Sequence, residues 1–259
     1  MPGVGAEPFA PLRLSPECVF CGKLTERPRP GLHTRSMRWR DAARMDDALC
    51  SPQPVFHLVK RSYAHCFHKR TRDGRVLVME RGDQFAALVA AFAEAELDPA
   101  DAALHVAMLN EFLARELDTR CFPGGRVVRI FDCEELSTWD LGTNAVAFAR
   151  AVTAVLGPNY PERISRVLVV NAPASFALAY SLMTPMLTRK LLDKVTLFSA
   201  SQAEQAREAL LELVAPENLP ERYGGTCRCP GEGGCWRNSA EELALWRLVE
   251  KHTPPELRR

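Results

Sequence analysis

The stretch YPERISRV begins at Tyr160, sets Glu162 and Arg163 side by side, and runs straight into apolar sequence. From Val167 to Thr188 there are 22 residues without a formal charge, and Arg189, Lys190, Asp193 and Lys194 follow at the far end. A carboxylate and an ammonium bordering that much apolar surface must be paired, solvated or holding the charge of a ligand. Glu162 and Lys194 therefore mark the margins of an apolar region, either a packed core or the wall of a pocket with a polar end.

Cysteine is the second group of side chains that could do chemistry. The chain has nine, at Cys18, Cys21, Cys50, Cys66, Cys121, Cys133, Cys227, Cys229 and Cys235. The N-terminal residues carry Glu7 and three prolines before residue 12, with no apolar h-region, so reduced thiols in the cytosol are expected. Cys18-Val-Phe-Cys21 has the spacing of a zinc knuckle or a redox pair, but no second pair follows nearby and it lies in a loose tail. Cys227, Cys229 and Cys235 supply three thiols and lack a fourth ligand unless Cys18 or Cys21 returns, so no metal and no cofactor are expected. Glycine-rich phosphate loops, a G-x-S-x-G elbow and paired metal-ligating histidines are absent from the sequence, which argues against an enzyme. A redox enzyme built on Cys18 and Cys21 is the remaining enzymatic alternative. With 33 basic against 32 acidic residues, no global field favours nucleic acid. A local basic group at Lys60, Arg61, Lys69, Arg70, Arg72 and Arg75, opposed by Asp73, would suit an anionic membrane or a solvated face.

The elements that must position these residues read as an α/β chain. Residues 1–35 are rich in Pro, Gly and Arg and read as a disordered tail. Residues 36–66 hold two short helices, Met37 to Leu49 and Val55 to Cys66, the second with Pro54 at its first turn. Thr71 to Arg75 is a turn through Gly74, and Val76 to Met79 is a strand. Asp83 caps a helix to Ala95, and Asp98-Pro99 opens another to Leu117. Strands at Arg126–Asp132, Arg166–Val170 and Lys194–Phe198 alternate with helices at Thr143–Val155, Phe176–Leu187 and from a cap at Ser201 to Val214. Strands alternating with helices argue for one mainly parallel sheet with right-handed crossovers. The helix from Phe176 to Leu187 is apolar nearly all round, which suits either a core helix or one lining a cavity. Asn171, Pro173 and Pro185 interrupt the uncharged stretch, so it is not expected to span a membrane.

Four ordered stretches resemble the CRAL-TRIO lipid-binding family. They are FHKRTRDGRVLVMERGD (67–83), YPERISRVLVVNAP (160–173), PMLTRKLLDKV (185–195) and APENLPERYGGTC (215–227), and the similarity is strongest to fungal and plant phosphatidylinositol/phosphatidylcholine transfer proteins. The resemblance implies a sheet forming the floor of an apolar lipid pocket, closed by a mobile gate helix. It places that domain at 67–235, after a partial helical lid at 36–66 and before a C-terminal helix and tail at 236–259. Phe176, Leu178, Leu182, Met183, Met186, Leu187 and Leu191 fall on the gate and pocket wall. Glu162 and Lys194 fall on the positions that hold a phosphatidylinositol headgroup, where lysine neutralises the phosphodiester and the carboxylate accepts inositol hydroxyls. The family's two hydroxyl side chains for the phosphate of phosphatidylcholine fall on Val127 and Arg129, its gate-end hydroxyl on Leu191, and an aromatic on Cys66. Arg129 becomes a further candidate for the phosphate.

The function implied is phospholipid binding with transfer or presentation, phosphatidylinositol first, in membrane traffic or phosphoinositide signalling. The alternative is the same fold serving another hydrophobic ligand, sterol or tocopherol-like. The expected partners are the phospholipid and a transient membrane surface, with a lipid kinase as a further candidate; nucleic acid is not expected. A cytoplasmic monomer visiting membranes, Golgi or endosomal among the candidates, completes the expectation.

Overall fold

A computed structural model describes residues 30–120, 124–137, 142–174, 176, 180–181 and 184–258. Helix α1, Pro30–Ala42, starts within the stretch expected to be tail and ends before Arg44, whose φ of 50° takes the backbone left-handed. The single helix expected over Met37 to Leu49 is thus broken, and only a 3-10 turn, Met45–Asp47, follows.

Helix α2, Phe56–Ser62, is shorter than expected, because the chain turns extended before Cys66. Strand β1, His65–Arg70, pairs antiparallel with β2, Val76–Arg81, through the expected turn at Gly74. The helical spacing of Val55, Leu58 and Val59 belongs to α2. Beyond Tyr63 side chains alternate, and register puts Cys66 and His68 with Met79 and Leu77 on one face, His65 and Phe67 with Glu80 and Val78 on the other. The ladder slips between His68 and Arg70, so Lys69 is an extra residue, with φ of 44°.

Asp83 does not cap a helix; it takes both guanidinium arms of Arg81 at 2.8 Å, and α3 runs Phe85–Glu94. Helix α4, Pro99–Phe112, has the expected start, with Asp98 accepting from the Ala100 amide at 2.7 Å and Asp101 completing a capping box. Strand β3 is Val127–Asp132, α5 is Thr143–Asn159 and β4 is Ile164–Ala172. After the short α6, Arg189–Leu192, β5 spans Val195–Ser199. Ser199, rather than Ser201, forms the capping box ahead of α7, Ala203–Leu213. Helix α8, Ala240–His252, closes the described chain, capped by Ser239.

The strands lie in the order β1-β2-β3-β4-β5, parallel from β2 onward. When strand order follows chain order, right-handed crossovers all fall on one side of the sheet. The packing agrees. Phe112 of α4 meets Phe67, Val78 and Val127 on one face, while Leu210 of α7 and Val214 just beyond it meet Leu77, Met79, Val128, Ile130 and Leu168 on the other. The α7 face is a closed core. The crossover face is closed only in part.

Candidate functional site

Glu162 and Lys194 come together at the N-terminal ends of β4 and β5. The Lys194 ammonium donates to Glu162 Oε2 at 2.6 Å and to the Ile164 carbonyl at 2.9 Å. Both side chains are 19 % exposed, so the pair sits at a margin, neither dry nor freely solvated. Lys190 Nζ stands 4.0 Å from the other carboxylate oxygen. An ammonium has three protons, and these two bonds use two, leaving the third for an anionic group. Glu162 holds a φ of 59°, sterically costly for a residue with a Cβ, in the turn between α5 and β4. That turn gives the carboxylate its direction.

The partly open face of the sheet lies beside this pair. Register aligns Val78, Arg129, Val167 and Val195 in one row and Glu80, Phe131, Val169 and Leu197 in the next. Phe131, Val167 and Val195 are half-buried, and Leu197 is 39 % exposed. Phe176 is buried and stacks on Tyr180 with ring centroids 6.2 Å apart; the two pack against Phe131, Val167, Val169 and Val195. Phe176 and Tyr180, from the stretch expected to form the gate, therefore lie on this apolar floor. Leu178, Leu182 and Met183 fall outside the described residues, and Met186 is described only in its backbone, a 3-10 turn at Thr184–Met186. Leu187 and Leu191 are half-buried beyond that turn.

Arg129 is a cation set into this floor. Its guanidinium reaches Glu80 at 3.4 Å, and its buried Nε has no hydrogen-bond partner. Beside it, Tyr63 and His65 stack at 5.5 Å. Burial raises the Tyr63 hydroxyl well above its ordinary pKa, and burial, with the Lys60 charge, holds His65 well below. Both are neutral at pH 7.

Residues 60–225 match the CRAL/TRIO domain. The chain belongs to the CRAL/TRIO domain family. Among its relatives are two Arabidopsis thaliana phosphatidylinositol/phosphatidylcholine transfer proteins. SFH14 is 30 % identical over 76 % of this chain and 35 % of its own length, and SFH9 is 26 % identical over 69 % and 31 %. The Sec14 cytosolic factor of Schizosaccharomyces pombe is 33 % identical over 34 % of this chain and 29 % of its own length. The match thus spans about a third of these relatives. The fold resembles the crystal structure of Sfh5, with a TM-score of 0.58 at 13 % identity, covering 84 % of this chain and 76 % of that one.

Within the CRAL/TRIO fold, the other residues of the recognised stretches fasten elements together. Tyr160 donates to Glu111 at 2.8 Å, and the same buried carboxylate binds Arg40 at 2.6 Å and Arg115 at 2.7 Å. Arg163 donates to the Gly125 carbonyl at 3.1 Å. Tyr223 donates to buried Asp132 at 2.8 Å and Arg222 pairs with it at 3.1 Å, which ties the last motif to the end of β3. Gly225 permits this, since a Cβ there would lie 1.9 Å from the Leu219 carbonyl oxygen. Sequence reasoning missed Glu111 and Asp132, whose isolated carboxylates carry no spacing signal.

The basic residues around β1 make contacts within the chain. Lys60 is buried against Glu242 at 2.6 Å, Lys69 donates to the Glu217 carbonyl, Arg72 to that of Leu211, and Arg75 pairs with Asp73. A cleft of about 170 Å³ between Arg72, Arg75, Arg166 and Glu212 is smaller than sites for drug-sized ligands and far too small for two acyl chains. No helix among the described residues is long and apolar enough to cross a membrane. Cys18 and Cys21 lie outside the described residues, but Cys227, Cys229 and Cys235 gather around His68.

Proposed function

We propose that this CRAL/TRIO chain binds a phospholipid, phosphatidylinositol first, and transfers or presents it at cytoplasmic membranes. The observation that carries the reading is the Glu162–Lys194 pair, a mostly buried ion pair with a spare ammonium proton at the edge of an apolar sheet face. A phosphodiester suits that proton, and Glu162 can turn to inositol hydroxyls when the phosphate takes its cation. The names of the plant relatives, phosphatidylinositol/phosphatidylcholine transfer proteins, support the ligand class.

The acyl chains would lie on the floor formed by Phe131, Val167, Val195 and Leu197. Burial at about 0.8 kcal/mol per methylene makes two long chains too strongly held to leave through a closed wall. Exchange therefore requires the gate stretch to open, and nothing covalent occurs. Arg129, with one guanidinium nitrogen unmatched, offers a second polar contact within the pocket. The test is mass spectrometry of lipid that copurifies with the chain. Phosphatidylinositol enriched over its share in the host membrane supports the reading; a sterol, a tocopherol-like molecule or no lipid refutes it.

A further inference from the structure

Four side chains with metal-ligand chemistry meet beside β1, His68 being on the sheet face opposite the floor. The ligand atoms of His68, Cys227, Cys229 and Cys235 all lie within 4.8 Å of one another. Cys227 Sγ is 3.9 Å from Cys229 Sγ and 3.8 Å from Cys235 Sγ. Those separations are about twice a disulfide bond, which is ~2.05 Å. They are the separations expected of tetrahedral zinc: with Zn–S near ~2.3 Å, two sulfurs stand ~3.8 Å apart. We propose that His68, Cys227, Cys229 and Cys235 form a tetrahedral Cys₃His site for a structural zinc ion, which fastens the segment after the last motif to β1.

The surroundings are built for it. His68 is fully buried, and neither ring nitrogen makes a hydrogen bond of normal geometry, an unusual state for a buried imidazole. The bulge at Lys69 interrupts the ladder immediately after His68. Gly231, Gly233 and Gly234 all have positive φ, the conformation that folds the chain between Cys229 and Cys235 back on itself. Three thiolates and one imidazole around a divalent ion carry a net charge of −1, and Lys69 stands within interaction range of all three sulfurs. Cys227 is buried while Cys229 and Cys235 are half-buried, so an ion can enter from one side. Soft thiolates with a single imidazole favour zinc over magnesium or calcium. Binding releases the three thiol protons to solvent and oxidises nothing.

The experiment uses the full chain carrying Cys18→Ser and Cys21→Ser, so that the tail thiols cannot hold an ion. Elemental analysis after purification without added metal should give one zinc per chain. Exchange for cobalt should give the visible bands of a tetrahedral thiolate site. Single additions of His68→Ala or Cys227→Ser should abolish both signals, His68→Cys should keep them, and Cys50→Ser, which alters an exposed cysteine outside the cluster, should leave them unchanged. Because a ligand variant can also misfold, the parent is tested too: a strong chelator should lower its Tm, and zinc should restore it. A metal-free parent with three freely reactive thiols, a parent lighter by two hydrogens through a disulfide, or a parent loaded with iron would each overturn the proposal.

Discussion

Replacing Lys194 with Ala removes an ammonium that donates to Glu162 at 2.6 Å and to Ile164 at 2.9 Å. Each member of the pair is about four-fifths buried, which places its worth between the ~0–1 kcal/mol of surface pairs and the ~3–5 kcal/mol lost when a buried pair is broken. Lys190, 4.0 Å from the same carboxylate, compensates in part, so the folding cost is about 1–2 kcal/mol. For a chain of this size that lowers Tm by roughly 2–8 °C, and the protein stays folded at 25 °C. The ligand effect is larger. Losing a charge-assisted bond to a phosphodiester costs about 1.5–3 kcal/mol, or roughly a 10–150-fold fall in phosphatidylinositol affinity. The assay is vesicle-to-vesicle transfer of labelled phosphatidylinositol and phosphatidylcholine, with a thermal melt of each variant. Glu162→Gln and the double variant complete a cycle. Phosphatidylinositol transfer should fall far more than phosphatidylcholine transfer. Equal loss of both lipids, or no loss of either, in a protein that melts as expected would show that the pair only braces the turn.

Three further outcomes follow from the same geometry. Val167→Asp strands a carboxylate on the lipid floor, so copurified lipid should fall sharply while circular dichroism stays unchanged; a fully loaded variant would mean that this face is not the floor. Glu111→Ala leaves Arg40 and Arg115 without their shared buried carboxylate, and urea unfolding should show a loss of about 3–5 kcal/mol; a change below about 1 kcal/mol would refute the picture of a buried knot. His105, 3.2 Å from His65, is pushed down to about 3 by burial and the Lys60 charge, so it stays neutral in the fold while the unfolded chain protonates near pH 6.5. Its contribution is fully present above pH 6.5 and is lost at up to about 1.4 kcal/mol per pH unit as pH falls toward about 3; His105→Gln should flatten the stability–pH curve by close to one proton, and an unaltered slope would contradict the assignment.

Strands β3, β4 and β5 were legible because each is a mainly apolar run between turn signals, interrupted only by single polar positions such as Arg129 and Thr196, and the start of α4 because the Asp98 and Asp101 carboxylates satisfy two backbone donors locally while Pro99 has none to satisfy. Strand β1 was not. His65-Cys-Phe-His-Lys-Arg70 is polar by composition, and what makes it a strand is its pairing with β2, which composition does not report. The cap at Ser199 was misplaced by two residues because serines stand at both positions and only the return bond from Gln202 separates them. Glu162 and Lys194 were visible as the charged margins of an uncharged stretch. The Glu80 partner of Arg129 depends on strand register, and the fourth member of the cysteine cluster lies 159 residues before Cys227, beyond the reach of linear spacing.

The knot around Glu111 separates the unit of homology from the unit of folding. The span shared with the family runs from residue 60 to 225, yet Arg40 lies ahead of it, and Glu242, which holds Lys60 and accepts from the Phe67 amide, lies after it. A chain cut to the shared span would keep the recognised motifs up to Gly225 while leaving Lys60 and Glu111 each stripped of a buried counter-charge. Grafting or trimming by family boundaries would therefore produce a protein that looks whole in alignment and fails in solution. Helices α1 and α8 are internal parts of this domain, although they fall outside the region by which its family is recognised.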